Sequence, residues 1–182
     1  GQPGELMQVA KQLFDIGTLF EAATSFSEVA ATYDAVCRLE SEYRGNKHNR
    51  DRCLADTFQP CLAVTVSRQQ DLAAHPDAPL LQRGFQSLRG HLTWPGFTAT
   101  QQPKRIIAAR AAALAAHLRA GVPFDFATMR YACTAGQIEA LRAVTLNGTP
   151  LAWIDGVKAV NPEAYYYWHR AIQLWQHQVS QA

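Results

Sequence analysis

The residues of this chain most able to do covalent or metal chemistry are four cysteines and six histidines. Cys37, Cys53, Cys61 and Cys133 contain no CxxC and no paired spacing suited to zinc, so disulfides are their expected use. That use belongs to an oxidising compartment, and a periplasmic or secreted protein is the expectation. The competing account keeps all four reduced, as small apolar side chains. Cys133 differs from the rest because it directly precedes Thr134, where a helix should begin. A thiol at a helix N-terminus can have a lowered pKa and act as a nucleophile, with His117, His169 or His177 as base.

The remaining residue types are less suggestive. With His48, His75 and His91, the histidines form no HxxxH or HExxH pair, so neither a metal site nor a cofactor is expected. Glu21, Glu28, Glu40 and Glu42 have no partner pattern for general acid or base work. Ser25, Ser27, Ser67 and Ser87 lack the GxSxG context of a nucleophile elbow. Two groups suit binding instead. Arg44, Lys47, His48, Arg50 and Arg52 make the densest run of positive charge, fit for an acidic partner, a phosphate or anionic lipid. Tyr165, Tyr166, Tyr167 and Trp168 are consecutive, so on a helix they span most of its circumference. Such residues anchor interfaces or line a groove between helices.

The elements that must hold these groups read as helices. Leu6, Val9, Leu13 and Phe14 share a face of a helix over 5–17 that Gly17 would terminate. A longer helix over 20–43 repeats Phe26, Val29, Tyr33, Val36 and Cys37 at three- and four-residue steps. After the polar stretch 44–52, a third helix begins near Asn49 or Asp51 and buries Leu54, Phe58, Cys61, Leu62 and Leu72, with Pro60 a kink or interruption. On one straight helix Cys53 and Cys61 would lie about 12 Å apart, so a hairpin turning at Gly45 favours Cys37 with Cys53 and Cys61 with Cys133. A break at Pro60 would permit Cys53 with Cys61.

Leu81, Phe85, Leu88 and Leu92 mark a fourth helix after the turn at 75–79. Thr93 to Gln102 reads as an irregular loop with Trp94 and Phe97 folded inward. Pro103 opens an alanine-rich helix with Ile107, Ala111, Leu114 and Leu118 in a stripe, ended by Gly121 and Pro123. One or two helical turns are expected over 124–133, and Thr134 with Gln137 forms a capping box for the next helix. Asp155–Gly156 between two short apolar runs predicts a small β-hairpin near 151–160. Asn161, Pro162 and Glu163 then start a final helix with Tyr165, Trp168, Ile172, Trp175 and Val179 inward.

The order Gly148, Thr149, Pro150, Asp155, Gly156 and a closing helix resembles the distal part of thioredoxin-like proteins of the DsbA and DsbC type, over about Thr134 to Trp175. The resemblance implies a strand on each side of the turn and a cis-proline at Pro150. The CxxC of those families is missing upstream, so it implies no disulfide isomerase activity.

Fold class and function follow from the whole. The expectation is a mainly α protein, one helical domain over 1–182, a bundle of seven or eight helices. A net charge of +2 is too small to imply a nucleic-acid partner, since dedicated binders carry clustered basic faces. No stretch is long and apolar enough to span a membrane; the nearest, Ile106 to Leu118, is broken by Arg110 and His117. With catalytic motifs missing, the leading expectation is a non-catalytic extracytoplasmic protein that binds another macromolecule, most simply a protein. The alternatives are an enzyme with a cryptic pocket using Cys133 or a histidine, and a carrier of a small apolar ligand in an interhelical cavity.

Overall fold

A computed structural model describes residues 3–45, 49–66, 75–89 and 102–179. Expectations for Lys47, His48, Leu72, His91, Leu92, Trp94 and Phe97, and for the side chains of His177 and Val179, lie outside the described residues. The described residues form seven α-helices and one 3-10 helix, in accord with the mainly α expectation. In chain order they are α1 (Pro3–Ala22), α2 (Phe26–Tyr43), α3 (Arg50–Thr65), α4 (Ala78–Arg89), α5 (Gln102–Ala120), α6 (Ala135–Ala143), the 3-10 helix (Ala152–Val157) and α7 (Pro162–Val179).

The α5 helix is the axis of the molecule. Its alanines 108, 109, 111, 112, 113, 115 and 116 are all buried together with Ile107, Leu114 and Leu118, so it is enclosed on nearly every side rather than along one stripe. Small side chains let α1, α3 and α7 approach it closely. The tightest approach is at Gly17, where an added Cβ would lie 2.7 Å from an Ile107 methyl carbon. Gly17 therefore does not terminate α1, as the sequence suggested, but lets it pass α5. The chain breaks at 23–25, and the Ser25 hydroxyl accepts from the Glu28 N–H to start α2.

On α3, Asn49 caps the N-terminus and the helix runs through Pro60. That continuity removes a Cys53–Cys61 bridge, since eight residues of helix rise about 12 Å. Around α5, the buried Trp168 indole donates to the Thr65 hydroxyl at 3.1 Å, and Phe58 stacks on Trp175 at 4.0 Å between centroids. The mostly buried Arg110 meets both Glu21 and Glu163, which ties α1 and α7 to α5. Burying such a charge is tolerable only because both carboxylates reach it.

Two local expectations are corrected. The hairpin near 151–160 is absent: these residues form the 3-10 helix and turns, and no strand occurs among the described residues. A type I′ turn needs positive φ at both central residues, and Gly156 is not among the residues with positive φ. Asp155 is instead held as an acceptor by the Thr145 hydroxyl at 2.7 Å, the Tyr165 hydroxyl at 2.6 Å and the Leu146 N–H at 3.0 Å. Without strands, and with a trans peptide before Pro150, the thioredoxin-like resemblance has no structural counterpart here. The stretch 124–133 holds a single α-turn, with the Met129 N–H donating to the Asp125 carbonyl at 2.8 Å, and no helix. Asp125 closes a turn there, accepting from the Ala127 N–H at 2.9 Å and the Thr128 hydroxyl at 2.7 Å.

Candidate functional site

A cleft of about 740 Å³ lies between α6 and α7. Helical periodicity builds both walls. From α6, Gly136, Gln137, Ala140, Leu141 and Val144 share one face; from α7, Tyr166, His169, Arg170, Gln173 and Leu174 share another. His117 of α5 and Val122, Thr128 and Met129 of the following loop complete it.

Local hydrogen bonds fix each wall. The Thr134 hydroxyl accepts from the Gln137 N–H in the expected capping box. The Gln137 amide also reaches back, accepting from the Ala132 N–H at 2.8 Å and donating to the Arg130 carbonyl at 2.9 Å. Arg130 donates to the Phe20 and Ala23 carbonyls at the end of α1, and the Tyr131 N–H donates to the Tyr167 hydroxyl at 3.0 Å. The 121–134 loop is thus clasped by α1, α6 and α7. Asp155 secures the far end of α6 through Thr145, Leu146 and Tyr165, and these bonds to its charged form outweigh burial and keep its carboxyl below the usual range.

The electrostatics of the cleft are one-sided. No carboxylate among the described residues lines it. Arg170 lies 5.1 Å from the Tyr166 ring centroid and has no carboxylate partner among the described residues. His117 is 2% exposed, with Nδ1 2.9 Å from the Val122 carbonyl oxygen. Because a carbonyl can only accept, Nδ1 carries the proton and Nε2 presents a lone pair. That Nε2 is buried and has no hydrogen-bond partner. Burial pushes the His117 imidazole below its usual range, and nearby Arg170 adds to the drop. Burial lowers His169 likewise.

The residues singled out from sequence are dispersed. Tyr165, Tyr167 and Trp168 are buried in the core, so the aromatic run is not an external interface; α7 lies against α5 and the 3-10 helix on these sides. Burial pushes the Tyr167 hydroxyl up to about 12. Only half-buried Tyr166 reaches the cleft. In the basic run, Arg44 pairs with Glu40 at 3.4 Å and Arg50 with Asp34 at 2.7 Å, while Arg52 is exposed. Much of that charge is matched by its own neighbours.

No disulfide joins the cysteines. Cys61 is buried in the core and Cys133 is exposed, so the expected bridge between them is not made. Cys133 sits in left-handed backbone with φ 54, beside Tyr131 and outside the cleft. His117 and His169 share the cleft without it. No group of three His, Cys, Asp or Glu able to hold a metal ion occurs among the described residues, and no described helix is long and apolar enough to cross a membrane.

Arg170 and Gln137 were not singled out by residue type. The signal that locates them is helical spacing, since Tyr166, Arg170 and Leu174 recur every four residues on a face that α5 leaves open. Comparison with known proteins finds no matching family model, no matching curated protein and no matching solved structure. The function must be argued from the chain's own residues.

Proposed function

We propose that the protein binds a small amphipathic anion, an apolar body with one carboxylate-like end, in the cleft between α6 and α7. Arg170 carries the reading: a partly buried guanidinium without a carboxylate partner among the described residues, in a cleft that also offers the apolar side chains of Leu141, Val144, Met129 and Leu174. A planar guanidinium is suited to two-point recognition of a carboxylate. The volume lies within the range of roughly 300–1,000 Å³ common for small-molecule sites. This reading narrows the carrier alternative from a neutral apolar ligand to an anionic one. Of the enzyme alternative, the Cys133 form is weakened because Cys133 is not in the cleft, whereas the histidine form keeps His117 and His169 there.

Calorimetric titration with octanoate and octanol tests the reading. Octanoate should bind about tenfold or more tightly than octanol, the range of a charge-assisted hydrogen bond, and Arg170→Gln should erase that preference while leaving octanol unchanged. Equal affinities in the unaltered protein, or a preference that persists in R170Q, would contradict it.

Binding of another macromolecule keeps one supporting observation. On α2, Val36, Leu39 and Tyr43 are 54%, 51% and 79% exposed, along one helical stripe. That stripe, rather than the aromatic run of α7, would be the surface such a partner met.

A further inference from the structure

The α2–α3 hairpin carries a second chemical feature, independent of the cleft. Gly45, whose φ of +70 suits glycine, follows the end of α2, and Asp34 of α2 pairs with Arg50 of α3 at 2.7 Å. Cys37 and Cys53 stand equally far from Gly45 along the chain; Tyr33, one turn before Cys37, packs with Leu54, next to Cys53, and Cys37 is near enough to help raise the Cys53 thiol. Both residues are half-buried, so a small reagent can approach, whereas Cys61 is sealed in the core and Cys133 is on another element's end. The buried Tyr33 hydroxyl lies beside Cys37 and makes no well-formed hydrogen bond. No residue of α2 is fully buried; the helix is held by Phe26, Ala30 and Tyr33 against Leu54, Ala115 and Leu118.

We propose that Cys37 and Cys53 are a thiol–disulfide exchange site, at which a small disulfide of the glutathione type oxidises the pair and clasps α2 to α3. One cysteine thiolate attacks the small disulfide, forms a mixed disulfide and releases one small thiol. The second cysteine then attacks the protein sulfur of that mixed bond, forming the Cys37–Cys53 disulfide and releasing the second small thiol. The two protons lost by the cysteines are carried by the two departing thiols, and the small disulfide takes both electrons. Burial and the neighbouring Cys37 raise the Cys53 thiol, so exchange should quicken in mildly alkaline buffer. Because α2 has little buried surface of its own, the bond acts on the element most able to open locally.

The test incubates the full chain with oxidised glutathione, alkylates remaining thiols under denaturing conditions and maps peptides by mass spectrometry. It then compares hydrogen exchange of oxidised and reduced protein. The expected result is one cross-linked peptide pair joining Cys37 to Cys53, with exchange across 26–43 slowed about tenfold or more and restored by dithiothreitol. Cys37→Ser should leave Cys53 as a mixed disulfide with glutathione and unslowed α2. Glutathione on both cysteines of the unaltered chain without an internal bond would overturn the exchange site. An internal bond that leaves α2 exchange unchanged would overturn the clasp.

Discussion

At His117 a single ring does two jobs: Nδ1–H ties the end of α5 to the Val122 carbonyl, and Nε2 is left buried without a partner. Its edges face Phe124 at 5.1 Å and Phe26 at 6.2 Å between centroids, surroundings that disfavour a second proton. The folded protein therefore holds this histidine below its usual range, whereas the unfolded chain takes up a proton near about pH 6.5. Below that pH the unfolded state binds more protons, so stability is fully present above it and falls as the solution is acidified. Thermal melts should show Tm dropping from about pH 6.5 downward, with a shallower drop in His117→Asn, which keeps a donor for Val122. His169 shifts the same way and accounts for part of the slope that remains. Identical slopes in the two proteins would remove His117 from the explanation. This behaviour could not be read from sequence, because it depends on which face of α5 meets the 121–134 loop. The Thr134–Gln137 box was legible, since capping needs only neighbours in the chain.

Among elements, legibility follows how local the cause is. Asn161 caps α7, accepting from the Ala164 N–H at 3.0 Å, and Pro162 opens it as the sequence requires. The hairpin at 151–160 failed because a tertiary demand on Asp155, from Thr145, Leu146 and Tyr165, overrode the turn preference of Asp–Gly. Gly17 was misread for a similar reason. A terminating glycine would need left-handed backbone, which Gly17 does not have; its need for glycine comes instead from the close crossing of α1 and α5, where an added methyl meets Ile107 at both side-chain and backbone atoms. Gly17→Ala should lower stability by about 1–3 kcal/mol despite its better helix propensity, read as a reduced urea midpoint with unchanged slope. A gain in midpoint would mean that the crossing relaxes easily.

For the molecule as a whole, α5 organises everything else: its alanines admit α1, α3 and α7, and α6 is left as an outer wall that reaches the core through Leu141. A wall held by a capping box at one end and by Asp155 at the other leaves the space between them unfilled, and that space is the cleft. The helical class was readable from periodicity. The cleft was not, because its lining comes from α5, α6, α7 and a loop whose relative placement no local pattern specifies. Gly136 offers the most direct test of whether this space is the binding site. It lines the cleft, and an added Cβ there meets nothing within 4 Å. Gly136→Leu should put a side chain against the ligand's space while raising helix stability by about 0.5–1 kcal/mol, so lost binding could not be blamed on unfolding. Octanoate titrated calorimetrically into this variant should bind at least about tenfold more weakly than to the unaltered protein, with Tm equal or higher. Unchanged octanoate affinity in a G136L protein of intact stability would contradict the assignment of the α6–α7 cleft as the site.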